Sequence, residues 1–451
     1  MRHQELKQRV NDEIDRHAAQ LIAVGEDIFQ HPELGFKERR TAGVVAREFS
    51  RLGLSYLEDV AITGLKTVVS GADSSGPTVG VLGELDSILV ADHPNADPVT
   101  GAAHACGHNA QITAMLGVAT GLVRSGVLDE LAGNVALLAV PAEEYVEIDY
   151  RVGLRSQGAT EFLGGKSEWI RLGMFDDIDI TMMVHAASDD PGGVVGSINT
   201  SCNGFIGKQA RFIGRAAHAG GAPERGINAL YAAGIALDAV NAQRETFRDD
   251  DTVRVHPILT RGGDLVNVIP NDVRFETMVR GKTVESIDDA ARKVDRSLRA
   301  GAVALGARVD ITTLPGYLPV LNHRPVVDIF RENFLTFHPA SAWGEAGHGT
   351  WSGDLGDVSH IMPAIVPQVS GFGGSVHGSD WRITDPYLAY ILPAKLMAMT
   401  VIDLLAGGAS GARGILDAYT PAMTKDEYLA FMRRNNRHEQ FDGAAVGAVR
   451  E

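Results

Sequence analysis

At 451 residues the chain exceeds one ordinary hydrophobic core and points to two domains. Hydrophobic residues at 45% and charged residues at 22% strike a soluble globular balance, while a formal charge of −16 disfavours nucleic acid and anionic membranes, which both need a positive face. Only two cysteines occur, so a disulfide framework is not expected; with a polar N-terminus and no uninterrupted apolar run of about 18 residues, the expectation is a cytoplasmic protein.

Leu6, Val10, Ile14, Leu21 and Ile28 recur at helical spacings between Gln4 and Phe29, and the pattern repeats over Arg39 to Leu52 after the turn at His31-Pro32-Glu33-Leu34-Gly35. Three apolar runs follow: Thr78 to Leu82, Asn134 to Val140 and Asp179 to Val184, with helical stretches such as Ala110 to Val123 between them. Strands without polar alternation, separated by helices, predict an α/β fold whose mostly parallel sheet is buried on both faces. Ligands gather at the carboxyl ends of such strands. There the sequence places Asp86 after the first run, Glu143 and Glu144 after the second, and His185 after the third.

From about Ser197 the pattern changes. Strands are expected over Phe205 to Ile213, Val253 to Leu259 and Val273 to Val279, and helices over Ile227 to Ala242 and Ile287 to Leu305. This is an α+β insertion of roughly 110 residues, the size of a small domain. The expected organisation is a catalytic domain over residues 1–196 and 314–451, interrupted by a second domain over 197–313, with one helix and a loose tail after Thr420.

The chemistry centres on Ala103-His104-Ala105-Cys106-Gly107-His108-Asn109. Cys106 and His108 suit borderline-soft divalent metals, and Gly107 lets the backbone pass close to an ion. Cys202 reads as a small buried hydrophobe. Cys106, His108, Glu144, His185 and a late histidine form a set large enough for two ions sharing a ligand. The late histidine is open among His348, His360 and His377, the last carried by a flexible glycine-rich loop. Glu143 and Glu144 point apart on an extended backbone but face one cavity at a turn, where one carboxylate binds metal and the other takes a proton from metal-activated water. Two motifs are set aside. Gly164-Gly165-Lys166-Ser167 lacks the earlier glycine of a phosphate-binding loop, Thr160 standing there, and no Gly-x-Ser-x-Gly elbow supplies a serine nucleophile.

Taken in order, His104-Ala105-Cys106-Gly107-His108, Pro141-Ala142-Glu143-Glu144, Val184-His185, Gly214-Arg215-Ala216-Ala217-His218-Ala219 and Asn267-Val268-Ile269-Pro270 resemble the aminoacylase-type dinuclear metallopeptidase family. The branch is that of p-aminobenzoyl-glutamate hydrolase and the plant hydrolases of indole-acetyl-amino acids. The resemblance implies a zinc-peptidase-like α/β catalytic domain with an inserted α+β lid that pairs subunits into a homodimer or higher homo-oligomer. It implies two divalent ions, Mn or Zn, bridged by Cys106 and completed by His108, Glu144, His185 and His377. Glu143 would act as general base and then acid, and Asp86 would orient a ligand. From the lid, His218 would steady the oxyanion in a neighbouring subunit, and Asn267 and Arg280 would hold the carboxylate of a small substrate.

Asn109 stands where the branch has an acidic residue, Glu84 and Leu89 depart from its pattern, and Tyr145-Val146-Glu147-Ile148-Asp149-Tyr150 replaces a glycine-rich turn. The expected activity is hydrolysis of the amide of a small N-acyl or N-aroyl amino acid. The alternatives are hydrolytic deamination of a small aromatic amine and a non-catalytic family member. Trp351 and Trp381 read as core residues before pocket walls.

Overall fold

A computed structural model describes residues 2–447. Two compact units emerge. The larger takes the chain up to Ser201, then Leu321–Gly349 and Asp357–Lys425; the smaller takes Cys202–Val320, Thr350–Gly356 and the chain from Asp426 onward.

The larger unit is built on a six-stranded sheet ordered Leu57–Val60, Gly64–Ser70, Ala132–Val140, Asp73–Glu84, Ile180–Met182, Ala364–Ile365. Its four strands from Ala132–Val140 to the Ala364–Ile365 edge run parallel. Val79, Val81, Leu82 and Val135 to Val140 are all fully buried, as unbroken apolar strands between helical layers must be. The His108–Ser125 helix lies against this sheet with residues 108–122 all buried, which explains its lack of a polar face. One helical stretch among the described residues, Tyr387–Ala418, is long and apolar enough to cross a membrane, yet 89% of its apolar window is buried inside the fold. It serves here as a core helix. A separate parallel pairing sets His185–Ser188 beside Gln368–Gly373, with His185 opposite Gln368.

The smaller unit carries an antiparallel sheet ordered Arg254–Val255, Asp272–Gly281, Gly204–Ile213, Arg308–Leu314, Arg437–Asp442. Ile258–Arg261 also pairs with Asp272–Gly281, so the strand expected over Val253 to Leu259 is two short ones. The helices Ala229–Gln243 and Val284–Leu305 cover one face. Ala229, Ala232, Ala233, Ala236 and Val240 are buried at helical spacing, and a Cβ on Gly301 would sit 2.2 Å from the Ala232 carbonyl oxygen, so small residues let the two backbones approach.

The tail expected to be loose corrects to a strand. Arg437–Asp442 pairs along Arg308–Leu314, and Arg299 holds Glu439 through two nitrogens at 2.7 and 2.6 Å. With one apolar residue in six, Phe441, this strand has no hydrophobic alternation to announce it, and a charged pair stands in for that signal.

Candidate metal centre

The strand ends of the larger unit converge as their sequence positions suggest, and the backbone shows how. Ala142 adopts a left-handed φ of +56° immediately before Glu143 and Glu144. That turn brings two consecutive carboxylates to one side, which an extended strand would not do. Two buried carboxylates clamp it. Glu38 accepts the Ala142 N–H at 2.8 Å, and Asp86 accepts those of Glu143 at 3.1 Å and Glu144 at 2.9 Å. Buried Arg151 closes the other side, donating to the carbonyls of Ala142 (3.1 Å), Leu163 (2.7 Å) and Glu144. The segment that replaces the glycine-rich turn is therefore a helix, Ile148–Ser156, whose arginine ties the turn down.

The Cys106-Gly107-His108 stretch enters its helix through Gly107, the N-cap, at φ +89°. A Cβ there would lie 2.4 Å from the Ala186 Cβ, so only glycine fits between the two ligand candidates. His108 Nδ1 donates to the Asp86 carbonyl oxygen at 2.9 Å, and His185 Nδ1 donates to the Ala186 carbonyl oxygen at 2.9 Å. Each bond fixes Nδ1 as a donor and aims Nε2 at the cluster, where it can hold a metal once its proton leaves. His185 Nε2 lies 3.4 Å from Cys106 Sγ. His377 reaches the same place from a loop, itself left-handed at φ +63°, pinned by its N–H to the Ala105 carbonyl at 2.8 Å. Its Nε2 is 3.2 Å from Glu144 Oε1.

Donor atoms within 4.8 Å of one another form three groups: Cys106, His108 and His185; Cys106, Glu144 and His377; Glu84, His108 and Glu143. Cys106 belongs to the first two, the arrangement of two ions with a shared thiolate. The donors fit such ions chemically. His108 Nε2 and Glu84 Oε2 are buried without a hydrogen-bond partner, the state that a cation between them would relieve. Of the other late histidines, His348 bonds Ser201 and buried His360 lies on the Leu355–Ile361 helix; neither joins a donor group.

Charge in the cluster is redistributed accordingly. Burial and Glu144 push the Cys106 thiol up, but His108 and His185 outweigh them and draw it down to about 6. Burial lowers His377, yet its bonds to Cys106 and Glu144 raise it to about 10. Thiolate and carboxylate thus hold their protons on the imidazoles, and those are the protons an incoming cation displaces.

Asn109 does not face the ligands. Its side-chain N–H₂ donates to the Tyr390 hydroxyl at 3.0 Å and the Gly25 carbonyl at 3.3 Å, so the change from an acidic residue acts on helix packing. Trp381 is fully buried and stacked on Phe372, a core residue. Trp351 is half-buried and falls in the smaller unit. Glu38 and Arg151, central to the geometry, carried no signal at the level of motif, and Lys166 stood only in the run set aside as an incomplete phosphate-binding loop.

The three remaining candidates belong to the smaller unit. His218 and Asn267 are neighbours there: His218 bridges to Val268, and the Ala219 N–H donates to the Asn267 carbonyl at 2.9 Å. His218 Nδ1 accepts the N–H groups of Gly220 and Gly221, so its proton sits on Nε2, an outward donor. Arg280 lies elsewhere, opposite Phe205 at the far end of the ladder that begins at Asp272, and donates to the Ser352 hydroxyl at 3.1 Å. Eight residue steps along the strand separate Asp272 from Arg280, roughly 26 Å. Asn267 and Arg280 of one chain therefore do not close on the same small carboxylate.

Fold and site together define a two-unit α/β protein with a candidate dinuclear metal centre. Residues 200–304 match the peptidase dimerisation domain. Xaa-Arg dipeptidase of Mus musculus is 27% identical over 433 residues, 89% of each chain. An IAA-amino acid hydrolase of Arabidopsis thaliana, ILR1-like 4, is 25% identical over 341 residues, 71% of this chain and 72% of the relative. Among solved structures, the aminobenzoyl-glutamate utilization protein of Klebsiella pneumoniae superposes with a TM-score of 0.64 at 19% identity, covering 88% of this chain and 98% of that one. A dinuclear metal-binding peptidase of the M20 family from Bacillus subtilis gives 0.63 at 19% identity, covering 87% and 99%. Residues 200–304 thus form an M20 peptidase dimerisation domain, and the relatives that the chain is similar to are M20 peptidases and amidohydrolases, hydrolases acting on C–N bonds.

Proposed function

We propose that this protein hydrolyses the amide bond of a small N-acyl or N-aroyl amino acid, using two divalent ions, Mn²⁺ or Zn²⁺. One observation carries the reading: Cys106 is common to two groups of metal donors, and Glu143 stands beside them on the same clamped turn as Glu144. The bound ions supply Lewis acidity that polarises the amide carbonyl and acidifies water. Glu143, with its side chain 13% exposed and its carboxylate 3.8 Å from His108 Nε2, takes the water proton and returns it to the leaving amine nitrogen. Asp86 keeps Glu143 and Glu144 in register by accepting both their N–H groups. His218 donates from Nε2 to the oxyanion.

The leaving amine is an amino acid. The names of the dipeptidase, the plant hydrolase and the aminobenzoyl-glutamate protein all describe an amide with an amino acid on the amine side. Its carboxylate suits a guanidinium, Arg280, with Asn267 as second donor. Since those two lie at opposite ends of one ladder, a homodimer in which different copies contribute them to each site accounts for both. Exposed Leu265, Val266 and Val268, flanking Asn267, offer apolar surface for that pairing. A thiolate ligand has to stay reduced, which suits the cytoplasm.

The test is to load purified protein with Mn²⁺, offer N-acyl and N-aroyl amino acids alongside aminobenzoates, and identify products by mass, with Glu143→Ala as control. Release of a free amino acid that the control lacks supports the reading. Ammonia alone would identify a deaminase, and bound metal without product a non-catalytic member.

A further inference from the structure

A buried ion pair lies next to the metal centre. Lys166 has no exposed side-chain surface and its Nζ sits 2.5 Å from Glu84 Oε1, on a carboxylate only 3% exposed. The glycine-rich run before it places it there. A Cβ on Gly165 would lie 1.6 Å from the Pro141 carbonyl oxygen, so the Gly165–Arg171 helix starts in contact with the strand end that carries Glu143. Taking two charges out of water is expensive, and replacing such a pair with apolar side chains is often neutral or stabilising. A pair retained here calls for a use beyond stability.

The second oxygen of Glu84 shows what that use is. Oε2 is buried, has no hydrogen-bond partner and lies 3.1 Å from His108 Nε2, which also has none. His108 has committed its Nδ1 proton to the Asp86 carbonyl oxygen, so Nε2 is the ring atom left to face Glu84. A carboxylate oxygen and an imidazole nitrogen at that distance need a proton or a cation between them, and an ion bound at His108 takes the proton's place. Two ligands of one ion, with bonds of about 2.1 Å, stand about 3.0–3.4 Å apart, which matches the observed spacing. Glu143 completes a group within 4.8 Å.

We propose that Glu84 is a further metal-binding carboxylate, coordinating beside His108 the ion also held by Cys106 and His185, and that Lys166 is its positioning residue. Lys166 holds one oxygen of Glu84 and so turns the other toward the ion. This rests on the dinuclear reading above and adds to it a sixth protein donor, fixed by an ion pair.

The experiment counts ions on metal-stripped protein by native mass spectrometry and titrates Mn²⁺ and Zn²⁺ by calorimetry, for wild type, Glu84→Gln, Glu84→Asp and the charge-neutral double variant Glu84→Gln/Lys166→Met. Unfolding midpoints are recorded in parallel. The double variant buries no lone charge, so its midpoint is expected near that of wild type, while its affinity for one of the two ions falls at least tenfold and the other ion stays. Wild-type affinity for both ions in the double variant would show that Glu84 only balances Lys166 and would overturn the proposal. Should the double variant not fold, Glu84→Asp decides. It keeps the charge and withdraws the carboxylate by one methylene, so weaker binding of one ion supports the role and unchanged binding of both overturns it. Fewer than two ions on wild type would instead remove the dinuclear reading and this proposal with it.

Discussion

The candidate residues of the larger unit and those of the smaller unit are held in opposite ways. Around Ala142-Glu143-Glu144, three successive backbone N–H groups are taken by two buried carboxylates, and Arg151 gathers the carbonyls. Every donor at that turn is fixed by something that is itself buried. His218 and Asn267, by contrast, are exposed, tied by backbone pairing and two short glycine contacts, with Val266 wholly open to solvent beside them. Left-handed non-glycine conformations at Ala142 and His377 fall in the first region, where the surrounding bonds are strong enough to maintain them. The contrast teaches a division of labour. On the proposed reading, proton transfer and metal binding use atoms placed by a rigid core, whereas donors meant for another copy's substrate stay on an open surface until that copy arrives.

The sharpest way to break this division is Glu143→Ala. Turnover should fall by roughly 100- to 10,000-fold while the metal content is unchanged, checked by steady-state kinetics beside elemental analysis. Loss of metal along with activity would make Glu143 a ligand instead of a base. Next comes His218→Ala, for which we expect a loss of roughly 100- to 1,000-fold in kcat with both ions still bound. Mixing this variant with Glu143→Ala under subunit exchange should restore turnover, because a mixed dimer assembles one complete site if His218 serves its partner. A mixture that stays inactive would return His218 to its own chain and erase the contrast.

Arg151→Met probes the rigid side. Three carbonyls lose a charged donor, and stability should drop by about 3 kcal/mol in urea titrations, with kcat reduced because the turn loosens. A variant as stable as wild type would mean that Glu38 and Asp86 suffice. The smallest effect concerns Glu38, whose carboxyl is raised to about 7 by burial first and Asp86 second. Between pH 4.5 and 7 the folded protein then keeps a proton that the unfolded chain has released, so this group's contribution to stability declines as pH rises through that window. Glu38→Gln removes that dependence. The stability of wild type relative to the variant should fall from pH 5 to pH 8 in paired thermal scans, and a flat difference would contradict the assignment.

Much of the site could be read from residue order. The unbroken apolar strands Asp73–Glu84 and Ala132–Val140 announce a sheet buried on both faces, and the polar residues just past them, Asp86, Glu143 and Glu144, announce a strand-end site. What stayed hidden is non-local. Glu38, Arg151 and the Glu84–Lys166 pair draw their meaning from partners about 7 to 104 residues away, and single charged residues carry no periodicity to reveal them. Lys166 even sat in a run that resembles part of a phosphate-binding loop, its glycine serving close backbone approach instead. Asn267 and Arg280 looked like one binding pair in sequence, and only the strand register separates them. The C-terminal strand escaped because charge, not alternation, secures it.

The central claim is that one thiolate joins two ions, and counting ions tests it directly. Native mass spectrometry of Mn²⁺-loaded protein should show two ions per chain in wild type, one in His185→Ala, and none retained at the same metal concentration in Cys106→Ala, since both donor groups contain that sulfur. A Cys106→Ala protein that keeps one ion or two at wild-type affinity would contradict the shared-thiolate centre.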